Sequence, residues 1–244
     1  MTHETVTIDA SDGKCPAHVF TPAEGGGGPA VVMYMDAGGI RPAVLGMGQR
    51  LADAGFVVLL PDPFYRYGSY GPFDPVEVFK GDFRAILGPL MATTGNRVSA
   101  RDTDAFLAYL DGRNEIVGSK VGAVDFCMGG GMAIAAAANR ADRFAAVASF
   151  HGGNLATEAA DSPHTYAPDL QAAIYIAAAQ DDTSYPPDMA IRLEEALDGA
   201  GVEYSTDTYA AAHGWMMPDF PIYDAREAER GWAEMIGFFE RVLK

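Results

Sequence analysis

Short apolar runs alternate with longer segments of helical periodicity along most of the chain. The runs are continuous and only six to nine residues long, which is typical of strands buried on both faces: residues 30–36, 56–61, 120–126, 144–152 and 172–180. Between them, apolar side chains recur every three or four positions, which predicts helices over residues 44–55, 99–112 and 131–141. The chain is therefore predicted to be an α/β protein.

Buried strands that alternate with helices build a mostly parallel central sheet with helices on both faces. Residues 4–10 and 15–22 alternate in the manner of an antiparallel hairpin, which we place at the N-terminal edge of that sheet. Residues 202–210 predict the last strand, and residues 223–244 predict a closing amphipathic helix. Since no linker, charge block or repeat interrupts the pattern, we expect one domain over residues 1–244.

Charge and cysteine content exclude several classes of protein. The chain has 17 basic and 33 acidic residues, a formal charge of −16, which disfavours nucleic acid and anionic membranes as partners. The first fifteen residues lack a signal-peptide pattern, and no apolar run approaches the roughly 20 residues that span a bilayer, so we expect a cytoplasmic protein. Cys15 and Cys127 are expected to be free thiols, and without metal-ligand spacing we expect no metal and no cofactor.

The segment "GAVDFCMGGG" places Cys127 between a predicted strand and a predicted helix. A nucleophile at such a junction lies in a tight, strained turn, and small residues beside it allow the strand and the helix to approach closely. The positive end of the following helix also favours the reactive thiolate. The competing interpretation is a buried core cysteine, a common environment for free thiols. The three glycines after Cys127 favour the nucleophile.

A cysteine nucleophile needs a histidine base and an acid that orients it, and in strand-elbow enzymes the chain order is nucleophile, acid, histidine. His3 and His18 precede Cys127, while His151 and His164 precede the strand at residues 172–180 whose end should carry the acid. Only His213, in "AAHGW", satisfies the order. The acid is then Asp181 or Asp182 in "AAAQDDTSYPP", and the order alone does not choose between them.

Over nearly its whole length, the chain resembles the dienelactone hydrolase family of the α/β-hydrolase fold. The resemblance rests on "DFCMGG" around Cys127, on "PDPFYR" at residues 61–66, and on a D-x-x-x-P segment after the strand at residues 172–180. It implies a Cys-Asp-His triad, and the D-x-x-x-P spacing favours Asp182, four residues before Pro186. It also implies an oxyanion hole formed by the backbone N–H groups of Ala37 and Met128.

Three positions depart from the family pattern. Asp36 matches an acidic residue that interacts with the resting cysteine, but it is one methylene shorter than the family's glutamate. Asp125 replaces the usual glycine two residues before the nucleophile. Met217 replaces the arginine that holds the carboxylate of dienelactone, four residues after the histidine. The resemblance therefore implies hydrolase chemistry on a substrate other than dienelactone.

These observations predict that the chain hydrolyses a small ester or lactone through a thioester intermediate on Cys127. His151, Trp215 and Met217 are candidate pocket-lining residues, and residues 62–101 are either a lid or a surface excursion. A hydrolase-like binding protein without turnover is the main alternative, motivated by Asp125, and a redox sensor using Cys127 is another. The sequence specifies no oligomeric state.

Overall fold

The computed structural model describes residues 2–22 and 26–244, and its centre is an eight-stranded sheet. The strands lie in the order β1-β2-β4-β3-β5-β6-β7-β8. Pairing is antiparallel for β1 with β2 and β2 with β4, and parallel elsewhere. The bounds are Thr2–Ala10, Gly13–Thr21, Gly28–Tyr34, Val57–Pro61, Ile116–Phe126, Phe144–Phe150, Ala173–Ala179 and Tyr204–Tyr209 for β1 to β8.

Seven α-helices of the described ranges cover the two faces of this sheet. One face carries α1 and α7, whose side chains form a core with Phe150 and Tyr175, and the other carries α4, α5 and α6. None of these helices is long and apolar enough to cross a bilayer. Helices α1 to α7 span Pro42–Asp53, Pro75–Lys80, Phe83–Met91, Asn96–Asp111, Gly129–Asn139, Pro187–Ala200 and Ala225–Leu243, and a 3₁₀ helix spans Pro163–Asp169.

The architecture confirms the predicted fold class, a mostly parallel α/β sheet with an antiparallel N-terminal edge. Two differences have clear causes. Strand β5 begins at Ile116 rather than at residue 120, because its first five residues are not buried and Gly118 and Ser119 interrupt the apolar run that marks a buried strand. Helix α6 had no prediction from its periodicity, because it buries only Leu193 and Leu197.

Residues 62–101, predicted as a lid or a surface excursion, contain two short helices and the start of α4. Asp74 caps α2 by accepting a hydrogen bond from the Val76 N–H, and Asp82 caps α3 by accepting from the Arg84 and Ala85 N–H groups. Helix α3 also contains Pro89, which removes one helical donor. Side-chain caps and packing against the rest of the chain therefore hold two helices that are too short to be stable alone.

The parallel strands end at one edge of the sheet, where ligands bind in folds of this kind. Asp36 follows β3, Cys127 follows β5, His151 follows β6, Asp182 follows β7 and His213 follows β8. The sheet therefore brings to one rim five polar residues that are spread over most of the chain.

Candidate active site

Cys127 occupies a strained turn between β5 and α5. Its φ of 57° lies in the left-handed region that non-glycine residues rarely adopt. Three backbone hydrogen bonds hold it there: the Cys127 N–H donates to the Phe150 carbonyl (3.2 Å), and the Cys127 carbonyl accepts from Gly130 N–H (3.3 Å) and Gly153 N–H (3.2 Å). The turn thus has the geometry of a nucleophile elbow.

The glycines after Cys127 allow the close approach that this turn requires. A Cβ at Gly129 would lie 2.8 Å from the Tyr34 carbonyl oxygen, and one at Gly130 would lie 3.0 Å from Gly152 Cα. Real Cβ atoms do not come so close to backbone atoms, so a side chain at either position would push α5 away from the sheet. The small residues beside Cys127 therefore serve the function predicted for them.

His213 bridges Cys127 and Asp182. Its Nε2 lies 3.1 Å from Cys127 Sγ, and its Nδ1 lies 2.6 Å from Asp182 Oδ2. The other Asp182 oxygen, Oδ1, accepts hydrogen bonds from Ser184 Oγ (2.5 Å) and Ser184 N–H (2.8 Å). Asp182 is buried and Asp181 is exposed, so Asp182 is the carboxylate that orients the histidine.

Charge stabilises the Asp182–His213 pair. Burial acts to lower the pKa of His213, but the hydrogen bonds that its ring makes with Asp182 and Cys127 outweigh this effect and raise that pKa to about 10. Burial acts to raise the pKa of Asp182, but the hydrogen bonds with His213 and Ser184 outweigh it and lower that pKa. The contact with Asp182 therefore favours the protonated form of His213 and the ionised form of Asp182.

Two backbone donors face the same space as the sulfur. Ala37 and Met128 both line the cavity beside Cys127, and neither N–H donates a hydrogen bond within residues 2–22 and 26–244. The next N–H groups after β3 are occupied, because Gly38 donates to Asp36 Oδ1 (2.6 Å) and Gly39 donates to the Asp36 carbonyl (3.3 Å). The N–H groups of Ala37 and Met128 are therefore available to hydrogen-bond a group in the cavity.

Asp36 is held by a buried arginine and not by the nucleophile. Arg41 donates from Nη1 to Asp36 Oδ1 (3.0 Å), and from Nε and Nη2 to Asp219 (2.6 and 3.1 Å). Asp36 Oδ2 is 2.9 Å from the same Nη1, an ion-pair distance but off the hydrogen-bond direction. In the described part of the chain no hydrogen bond joins Asp36 to Cys127. Sequence reasoning missed Arg41 and Asp219, because their contact spans 178 positions.

The Asp36–Arg41 pair is almost completely buried, with both side chains only 1% exposed. Burial raises the pKa of Asp36, although Arg41 opposes the change. Burial acts to lower the pKa of Arg41, but its bonds with Asp219 and Asp36 outweigh it and raise that pKa. The guanidinium is therefore charged and is fully engaged by two carboxyl groups.

Asp125 fits beneath the elbow as a buried acid. Ser149 Oγ donates to its Oδ1 at 2.8 Å, and Oδ2 has no partner among the described residues. Burial raises the pKa of Asp125 well above its ordinary value, against the smaller opposite effect of the Ser149 bond. Burial therefore favours the protonated form of Asp125 beneath the turn that Cys127 adopts.

The cavity walls do not include His151, Trp215 or Met217, which corrects the expectation that these residues line the pocket. All three are fully buried. His151 packs edge-on against His213 and Trp215, with ring centroids 5.3 and 5.0 Å away, and burial lowers its pKa well below the ordinary value. The loop after His213 first turns under the histidine and only then reaches the cavity, at Phe220 and Ile222.

The cavity has a volume of about 1250 Å³ and opens over Cys127. Helices α2 and α3 form much of its wall, so residues 62–101 contribute to the pocket. Within the described ranges no group of three or more His, Cys, Asp or Glu side chains could hold a metal ion. The apolar wall is formed by Phe73, Pro75, Val78, Phe79, Phe83, Leu87, Met91, Met132, Phe220, Pro221 and Ile222.

Comparison with known proteins agrees with this geometry. A family model described as the dienelactone hydrolase family matches residues 15–243. A Methylorubrum extorquens protein with the provisional name carboxymethylenebutenolidase is 25% identical over 97% of this chain and 80% of its own length. A carboxymethylenebutenolidase of a Pseudomonas species is 31% identical over 57% of this chain and 56% of its own.

A solved structure shares the fold. A Klebsiella pneumoniae protein, provisionally described as a dienelactone hydrolase, superposes with a TM-score of 0.85 at 22% identity, covering 98% of each chain. At this identity the likeness concerns the fold, an α/β-hydrolase fold with the eight-stranded sheet described above.

Proposed function

The chain belongs to the dienelactone hydrolase family and is a hydrolase, and from this premise we propose that it cleaves a small ester or lactone with Cys127 as the nucleophile. The observation that carries the proposal is the 3.1 Å contact between Cys127 Sγ and His213 Nε2 at a strained elbow. Asp182, 2.6 Å from His213 Nδ1, completes a triad in the order that the fold requires.

The proposed reaction has two acyl-transfer steps. Cys127 Sγ attacks the carbonyl carbon, and the N–H groups of Ala37 and Met128 stabilise the negative oxygen of the tetrahedral intermediate. The His213 imidazolium gives its Nε2 proton to the departing alkoxide, which leaves a thioester and a neutral imidazole. The imidazole then takes a proton from a water molecule that attacks the thioester, and the acid product and the Cys127 thiolate are released.

The alternatives account for less of the geometry. A binding protein without turnover was suggested by Asp125, yet that side chain lies beneath an intact elbow as a buried acid. A redox sensor would need a resolving thiol. Cys15 is fully buried, and burial raises its pKa to about 12, which makes it a poor partner for disulfide exchange. Neither alternative uses the His213–Asp182 pair.

The proposed substrate differs from dienelactone. Met217 stands where the family resemblance places a carboxylate-binding arginine, and it is buried in the core. Arg41, the nearby buried cation, is engaged by Asp36 and Asp219. The loop at residues 210–224, which contains His213, therefore has no Lys or Arg that could bind a substrate carboxylate.

Activity of matched cysteine variants tests the proposal. Cys127→Ala should lower kcat on a panel of small esters by about a hundredfold or more, since loss of a nucleophile in related mechanisms costs at least that much. Cys15→Ala removes the other thiol, which is buried and does not line the cavity, and this variant should keep wild-type kcat. Circular dichroism spectra and Tm values establish that both variants fold. Full activity of Cys127→Ala would refute the proposed nucleophile.

A further inference from the structure

The cavity wall opposite Cys127 is unusually apolar for a surface that water reaches. Phe79 is 50% exposed, Phe83 is 43% exposed and Ile222 is 42% exposed, and all three line the cavity. Most of the large exposed apolar side chains of the described residues lie in α2, in α3 and at positions 222–223, rather than being scattered over the surface. Such a concentration marks a surface that binds an apolar group.

Two aromatic rings pack together where helix α2 meets the loop that carries His213. Phe79 of α2 and Phe220 pack edge to face, with centroids 5.0 Å apart. Arg41 makes a cation–π contact with Phe220, with its guanidinium carbon 5.3 Å from the ring centroid. Because Arg41 is itself fixed by Asp36 and Asp219, Phe220 is a positioned part of the wall.

The cavity offers few unpaired charges to a substrate. Of the three aspartates that line it, Asp36 is paired with Arg41 and Asp182 with His213, which leaves Asp181, and the whole chain has a formal charge of −16. Two cationic side chains line it as well, but His213 is paired with Asp182, and Arg84 is an exposed residue of α3 whose guanidinium lies over the neighbouring Phe83 ring. The described interior therefore offers an apolar wall and no unpaired buried cation.

Building on the proposed function, we propose that the substrates are uncharged esters or lactones with a bulky apolar acyl or ring group. That group lies against α2, α3 and Phe220, while the carbonyl carbon meets Cys127. Phe79 and Phe220 act as specificity-determining residues, because each contributes an aromatic face to the wall and neither touches the triad. A substrate of this kind gains binding energy in proportion to the apolar surface that it buries.

Transfer of one methylene from water to an apolar wall improves binding by at most about fourfold. Four methylenes separate a butyrate from an octanoate, and the wall is open on one side, so the full gain is not expected. We expect kcat/KM to rise roughly tenfold or more between p-nitrophenyl butyrate and p-nitrophenyl octanoate. Mono-p-nitrophenyl suberate, an eight-carbon chain that ends in a carboxylate, should be at least about tenfold poorer than the octanoate, because a buried charge without a partner is costly.

The variants Phe79→Ala and Phe220→Ala test whether these two side chains cause the preference for long acyl chains. Each should lower kcat/KM for the octanoate by about threefold to tenfold more than it lowers kcat/KM for the acetate, since a partly exposed Phe forfeits only part of its burial energy. Phe220→Leu should restore most of the loss, which separates apolar contact from support of Arg41. Tyr67→Ala is the matched control, because Tyr67 is an aromatic residue 46% exposed in the same excursion and does not line the cavity.

A readout without turnover separates this inference from the proposed mechanism. Calorimetric titration of Cys127→Ala should show octanamide binding at least about tenfold more tightly than butyramide. Equal rates for all chain lengths, or a preference for the suberate, would overturn the apolar-substrate inference and leave the nucleophile intact. Ester hydrolysis that survives Cys127→Ala would overturn the proposed function. No turnover of any ester, together with tight octanamide binding, would overturn the function and support the pocket.

Discussion

Replacement of Arg41 by methionine is the most informative perturbation of the site outside the triad. The guanidinium lies between Asp36 and Asp219 and is 1% exposed. Methionine keeps the length and most of the apolar stem of arginine but removes the charge and all donors. The variant therefore isolates the contribution of the cation to the loop that carries the Ala37 N–H.

The expected destabilisation follows from what remains after the cation is lost. Breaking a buried ion pair by removing one partner costs about 3–5 kcal/mol. Asp219 is 29% exposed and can be hydrated, so the unpaired charge that matters is Asp36, which is 1% exposed and keeps one hydrogen bond from the Gly38 N–H. We therefore expect the free energy of unfolding to fall by about 3 kcal/mol at neutral pH, the lower end of that range.

The pH dependence of this loss has a definite sign. Burial already raises the pKa of Asp36, and loss of Arg41 removes a group that opposes the rise. In the variant the folded state then keeps a proton that the unfolded state releases above about pH 4, so stability falls as pH rises. The difference between wild type and Arg41→Met should therefore be smallest below pH 4 and should increase toward neutral pH.

Urea unfolding of four proteins measures the effect: wild type, Arg41→Met, Asp36→Asn and the double variant. The neutral amide needs no cation, so Asp36→Asn should restore at least half of the stability that Arg41→Met loses. Equal denaturant slopes would show that the unfolded states are comparable. A loss below about 1 kcal/mol in Arg41→Met, or no recovery in the double variant, would refute the buried ion-pair account.

Two further predictions concern protonation. In Cys127→Ala the pKa of His213 should fall below about 10 but stay above its ordinary value, because the contact with Asp182 persists without the sulfur. ¹⁵N NMR of the ring nitrogens measures this pKa. A pKa at or below the ordinary value would contradict the proposed orienting role of Asp182. Asp125→Asn should gain stability relative to wild type as pH rises above about 4, because the raised pKa of Asp125 makes the wild-type fold lose stability there. Urea titrations at several pH values measure the difference in the free energy of unfolding. A difference that does not change with pH would contradict a raised pKa of the buried Asp125 carboxyl group.

The sequence predicted the sheet well, because buried strands contain continuous apolar runs that few other structures produce. It also predicted which strand ends carry polar residues, and these residues meet at one rim as expected. The choice between Asp181 and Asp182 could not be made from chain order, because adjacent residues at a strand end point in opposite directions and either could face His213. The structure places Asp182 against the histidine and leaves Asp181 exposed.

Other parts of the site left no local signal. The residues after His213 lie in a loop without periodicity, so nothing in the sequence showed that Trp215 and Met217 turn into the core while Phe220 and Ile222 reach the cavity. The partner of Asp36 was equally hidden, because Arg41 precedes a proline at the start of α1 and its other carboxylate lies near the opposite end of the chain. A hydrophobic pattern indicates which apolar groups are buried, and it contains no information about long-range ion pairs.

The two hidden features have a common consequence for the substrate. With Met217 at its position, the His213 loop contains no Lys or Arg, and Arg41, from the start of α1, pairs with Asp36, the residue before Ala37. With Asp36 already paired inside the protein, no substrate charge is needed to balance it, and since Arg41 is engaged by two carboxyl groups, the described cavity wall has no free buried cation for a substrate anion. What the cavity can still offer is apolar surface, and the aromatic pair of Phe79 and Phe220 supplies part of it at the point where α2 meets the loop that carries His213. The internal charge balance thus favours uncharged substrates, and a carboxylate-bearing ester would have to displace an ion pair to reach a buried cation.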